Sequence, residues 1–125
     1  MKHRIDIDAV TNYLESQSEP AADRYVFSYT ITITIRNSGD NPARLLGRHW
    51  VITDANGKIQ EVHGEGVVGE QPHLEPGESF RYTSAAMIET TVGFMRGEYR
   101  MLSDAGEPFD AEIPAFTLAV PRTLH

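Results

Sequence analysis

The sequence predicts an all-β fold of antiparallel strands, closed as a sandwich or a barrel. Three observations carry this. Tyr25 to Arg36 alternates in polarity along its whole length, Val26 excepted. No window shows the apolar spacing of a long helix. Turn clusters rich in glycine, proline and asparagine recur at short intervals. Several short strands punctuated in this way are the pattern of such folds.

The elements follow in order. Ile5, Ile7 and Ala9 alternate as a first strand, and Glu15 to Asp23 is a polar connection. In Tyr25 to Arg36 every odd position is aromatic or isoleucine, and a period of two means a strand with one buried face. Tyrosine, isoleucine and threonine suit a pleated surface. A strand of this length is expected to bend or twist. Asn37 to Pro42 turns the chain into Arg44 to Thr53, where Trp50 suits a sandwich core. Asp54-Ala55-Asn56-Gly57 offers an Asn-Gly hairpin turn, with both residues tolerant of positive φ. Lys58 to His63 returns, a glycine loop follows, and Glu75-Pro76-Gly77-Glu78 turns again. Ser79 to Thr83, Thr91 to Met95 and Gly97 to Leu102 read as three further short strands. Asp104-Ala105-Gly106 turns the chain, and Ile113 to Val120 closes the sheet.

Bulk properties bound the function. The chain of 125 residues fits one domain, spanning 1–125. A domain of this size buries roughly two-thirds of its unfolded surface and needs no staple. With no cysteine there is no disulfide, thiolate metal site or cysteine nucleophile. Met1 to Asp6 lacks the apolar run of a secretory signal. No apolar stretch approaches the ~20 residues that span a bilayer. A cytoplasmic protein is expected. The formal net charge of -7, from 11 basic and 18 acidic residues, disfavours nucleic acid and anionic membranes. Arg44, Arg48 and His49 form a short basic cluster, read as a solvated strand face.

Gly64-Glu65-Gly66-Val67-Val68-Gly69 has the G-x-G-x-x-G spacing of a dinucleotide-binding turn. That motif needs a helix after the glycines to hold the pyrophosphate. Here Pro72, Pro76 and Gly77 follow with no helical periodicity. Backbone amides alone can still make an anion nest. The charged side chains of this stretch, Glu65 and Glu70, are however both acidic. The loop is therefore read as a shaped crossing of the fold, with Val67 and Val68 available to a partner. His49, His63 and His73, with Glu61, Glu65, Glu70 and Glu75, are candidate metal ligands. Their spacing matches no zinc or EF-hand pattern. Ser79, Ser84 and Ser103 lie in no nucleophile elbow. No catalytic constellation emerges, and neither an enzyme nor a cofactor is expected.

Several stretches together resemble one family. They are Trp50 to Asp54, Val62 to Pro72, Leu74 to Ser84, Gly93 to Tyr99 and Ile113 to Phe116. The chain is similar over nearly its whole length to the ApaG domain, also called CorD. The resemblance implies a fibronectin type III-like β-sandwich. It also implies a link to cobalt resistance and magnesium efflux. The family is often encoded beside a diadenosine tetraphosphate hydrolase and an RNA adenine dimethyltransferase. In eukaryotes a similar domain is appended to F-box proteins and to a polymerase delta-interacting protein, which implies protein binding. It brings no catalytic residues, and its glycine motif maps onto Gly64, Gly66 and Gly69.

The expected function is a non-enzymatic protein-interaction module associated with Mg2+ and Co2+ homeostasis. An open edge of the Tyr25–Arg36 strand could accept a partner strand. One alternative is nucleotide or pyrophosphate binding at Gly64, Gly66, Val67, Val68 and Gly69. A second is direct divalent-metal binding through His49, His63 and His73.

Overall fold

A computed structural model describes residues 5–35 and 41–121. Arg36 and most of the turn predicted after it lie outside the described residues. The strands are β1 (Ile5–Tyr13), β2 (Tyr25–Ile35), β3 (Ala43–Asp54), β4 (Ile59–Glu65), β5 (His73–Leu74), β6 (Ser79–Ile88), β7 (Val92–Ser103) and β8 (Pro108–Ala119). Short 3-10 turns at Glu15–Gln17 and Pro20–Ala22 fill the connection between β1 and β2. All strand pairings are antiparallel. One sheet has the order β1-β2-β6. The other has the order β4-β3-β7-β8, with β5 also pairing β3. The fold is the β-sandwich the sequence predicts. No helix among the described residues is long and apolar enough to cross a membrane.

The core lies between the two sheets. β2 supplies Phe27, Tyr29, Ile31 and Ile33, the odd positions of its alternation. β3 supplies Leu45, Trp50 and Ile52, and β7 supplies Met95, Tyr99 and Met101. Trp50 meets Tyr29, Phe116 and Tyr99 edge-on, with ring centroids 5.3, 5.8 and 6.3 Å away. Edge-to-face packing adds about 0.5–1.5 kcal/mol per pair beyond area burial. The Trp50 indole N–H is buried and has no hydrogen-bond partner among the described residues. The Tyr82 and Tyr99 hydroxyls, one from each sheet, bond to each other inside the core. Burial pushes both phenols above the ordinary tyrosine range.

β1 and β6 run further than the sequence predicts, to Tyr13 and Ile88, and β5 is an added short strand. Three other differences have a clear local reason. β7 is one strand, not two. Its interior Gly97 looks like a break but is a close approach, since a Cβ there would sit 2.0 Å from the His49 carbonyl oxygen. β8 begins at Pro108, ahead of the expected Ile113, because Asp110 and Glu112 face outward between Phe109, Ala111 and Ile113. In the Asp54–Lys58 turn only Gly57 has positive φ, at 84°. The Gly57 amide donates to the Asp54 carbonyl, and Asp54 Oδ1 accepts the amides of Asn56 and Lys58. Asp54 thus organises the turn, and Asn56 needs no left-handed backbone.

Candidate functional site

The outer face of the five-stranded sheet is built by register. His49 pairs with His63 of β4 on one side and Glu98 of β7 on the other, and Glu98 pairs with Glu112 of β8. Side chains on one face alternate along each strand, so these four form one row across four strands. A parallel row holds Glu65, Gly47, Arg100 and Asp110. On the other side of the His49 row stand Glu61, Val51 and Arg96. A β-bulge sets this phase. The β3–β7 register shifts between Leu45 and Gly47, so Leu45 and Trp50 both point into the core while His49 faces out. The carbonyl of Leu46, at the bulge, accepts the Gly66 amide and the Gln71 side chain, at 2.8 and 2.9 Å.

His49 is the centre of the row. Its Nε2 donates to Glu61 Oε1 at 2.8 Å and its Nδ1 to Glu98 Oε2 at 2.7 Å. The hydrogen bond it donates to Glu61, then that to Glu98, raises the His49 pKa above the ordinary histidine range. The same bond from His49 holds the Glu61 carboxyl below the ordinary range. The His63 ring stacks on His49, with centroids 4.2 Å apart and planes 9° from parallel. One ligand atom each of His49, Glu61 and His63 lies within 4.8 Å of the other two. Beside them a groove of about 450 Å³ opens between His49, His63, Gln71, Arg100 and Asp110.

The glycine loop joins this face at β4 but directs its amides elsewhere. Val67 and Glu70 exchange backbone hydrogen bonds of 2.8 and 2.9 Å. Between them Val68 and Gly69 have φ of 48° and 79°, the positive pair of a two-residue primed turn. The Gly66 amide goes to Leu46. A Cβ on Gly66 would lie 2.2 Å from the Glu70 carbonyl oxygen, which reserves that position for glycine. Arg48 Nη1 donates to the carbonyls of Glu65 and Gly66, at 3.2 and 2.9 Å. The loop therefore offers carbonyls to a cation, and the amides of Gly66, Val67 and Glu70 serve the backbone. It does not cross the sandwich, because β4 and β5 on either side of it both pair with β3.

Other predicted site residues disperse. Val67 is wholly buried in the core, so only Val68 of the valine pair is exposed. His73 belongs to a separate cluster on β5, bonded through Nε2 to Asp104 at 2.9 Å with Glu75 nearby. Arg48 and His49 are adjacent on a strand and so point to opposite faces, which breaks up the basic cluster. Glu98 was absent from the candidate ligands. Its alternation with Tyr99 and Met101 marked it as outward, but only strand register puts it against His49.

Comparison with known proteins places the chain. The family model of the ApaG domain matches residues 15–103. Protein ApaG from Azoarcus sp. is 61% identical over 123 residues, covering 98% of this chain and 95% of that protein. Protein ApaG from Thiobacillus denitrificans is 59% identical over 124 residues, covering 99% and 96%. A crystal structure described as an ApaA protein from Bordetella pertussis superposes with a TM-score of 0.90 at 45% identity, covering 97% of each chain. With a family model matching most of its length and full-length relatives at this identity, the chain belongs to the ApaG domain family.

Proposed function

We propose that this domain is a non-catalytic recognition module that binds another protein through the outer face of its five-stranded sheet. One observation carries the reading. On that face Ile59, Thr53, Phe94 and Thr117 form a row across four strands, and Ile59 and Phe94 are 61% and 42% exposed. These two exposed apolar side chains adjoin the ionisable rows around His49. Apolar anchors beside a polar, charged surround are the anatomy of a recognition surface. Glu61, Glu65, Glu98, Asp110 and Glu112 outnumber Arg96 and Arg100 there, so the complementary partner presents basic and apolar side chains together. The association with Mg2+ and Co2+ homeostasis rests on the family resemblance.

The pyrophosphate reading of residues 64–69 has weaker support. The amides of Gly66, Val67 and Glu70 and the Arg48 guanidinium already have protein acceptors.

Co-purification at native expression tests the proposal. The wild-type chain should return a defined partner. Phe94→Asp, alone or with Ile59→Asp, should lose it. An unchanged set of proteins with the double variant would overturn the assignment of this face.

A further inference from the structure

We infer that His49 Nε2, Glu61 Oε1 and a ring nitrogen of His63 form a site for one borderline divalent transition ion of the Zn2+ class. Glu98 is the positioning carboxylate for His49. The site is independent of whether a protein docks on the same face.

The donor set favours this class. Imidazole nitrogens suit zinc, copper and nickel, whereas magnesium takes carboxylates, carbonyls and water. Two histidines and one carboxylate also leave coordination positions open for water. The distances are close to those of a filled site. Zinc–nitrogen and zinc–oxygen bonds of about 2.0–2.2 Å put tetrahedral ligand atoms about 3.4 Å apart. His49 Nε2 and Glu61 Oε1 already stand 2.8 Å apart and need to open by only about half an ångström. All three ligand atoms fit within 4.8 Å, and His63 sits exposed on the edge strand, where its ring is free to turn inward.

A second observation points the same way. His49 Nδ1 is held at 2.7 Å by Glu98. When an ion displaces the Nε2 proton, Nδ1–H still donates to Glu98, and the Nε2 lone pair faces the space shared with Glu61 and His63. A carboxylate behind a ligating histidine is the usual outer partner of a metal site, fixing both tautomer and ring orientation. A mere surface ion pair would need one carboxylate on His49, and this ring has one on each nitrogen. His73 is outside the site, occupied by Asp104.

Titration of the whole chain with Zn2+ tests this, followed by calorimetry and by histidine side-chain resonances. The expected result is saturable binding of one ion that shifts His49 and His63. His63→Ala and Glu61→Gln should each weaken it at least tenfold. Glu98→Gln should weaken it about tenfold with no change in thermal midpoint. His73→Ala should leave affinity unchanged, and Mg2+ should not move the imidazole resonances. Zn2+ affinity unaltered in a His49→Ala/His63→Ala variant of normal circular dichroism would overturn the site. So would shifts centred on His73, or none at millimolar Zn2+.

Discussion

The two outer faces of this sandwich are built from different materials. On the three-stranded sheet, β2 and β6 present Ser28, Thr30, Thr32, Thr34, Ser79 and Thr83. Four of these hydroxyls bond across the strands in pairs, Thr30–Thr83 at 2.8 Å and Thr34–Ser79 at 2.6 Å. Short β-branched side chains in cross-strand pairs are what a sheet needs to be stable and soluble. Val10 and Met87 are the exposed large apolar residues of this face. On the five-stranded sheet the outer positions carry two stacked imidazoles and a concentration of long ionisable groups beside exposed Ile59 and Phe94. A bulge in β3 and the close approach of β7 at Gly97 set their positions. Folding explains the first face. The second holds groups beyond folding's needs, and it is the face to which the proposed recognition is assigned.

Perturbations can break this contrast. The largest expected effect is at Gly97, whose Cβ would strike the β3 backbone beneath the His49–Glu98 row. Gly97→Ala should cost about 3 kcal/mol in urea unfolding, since strands rather than a side-chain tip must move apart. Val68 comes next. A β-branched residue at a φ of 48° is strained, so Val68→Asn should raise stability by about 1 kcal/mol. Asparagine accepts that conformation far more readily. On the hydroxyl face, Thr30→Ala should lose roughly 0.2–1 kcal/mol in the same assay and leave both Zn2+ binding and partner capture unchanged. Loss of either would break the division between the faces.

The smallest effect is a pH dependence on the ionic face. The His49 pKa is raised in the folded chain. Its contribution to stability is therefore fully present below the unfolded histidine value and is lost as pH rises through the folded value. Glu61, lowered by the same bond, contributes above the unfolded carboxyl value and loses that contribution as pH falls. The pair thus helps between the carboxyl and histidine ranges. Glu61 is exposed and His49 only half-buried, so the effect is modest. Urea midpoints of wild type and Glu61→Gln should differ at about pH 5.5 and converge at about pH 8.5. A constant difference across that span would contradict the assignment of His49.

What was legible in the sequence follows physical reach. The alternation in Tyr25–Arg36 and the turn residues are local signals, and they placed β2, β3 and the hairpins correctly. Glycine inside a strand was ambiguous. Gly97 resembles a boundary in sequence, but it marks a neighbouring backbone. Polar outward residues hid the first half of β8. The site was half legible. His49, His63 and Glu61 could be named as candidates because of their chemistry. Glu98 could not be paired, and His73 could not be excluded, because both depend on register across strands distant in sequence. The glycine string misled most, since its spacing suggests an anion while its geometry makes a tight turn around buried Val67.

On the proposed reading, recognition belongs to one face only. Co-purification at native expression with Phe94→Asp beside Val10→Asp, an exposed apolar position on the other sheet, addresses it most directly. The account predicts that Phe94→Asp loses the partner and Val10→Asp keeps it. Retention by Phe94→Asp together with loss by Val10→Asp would contradict it.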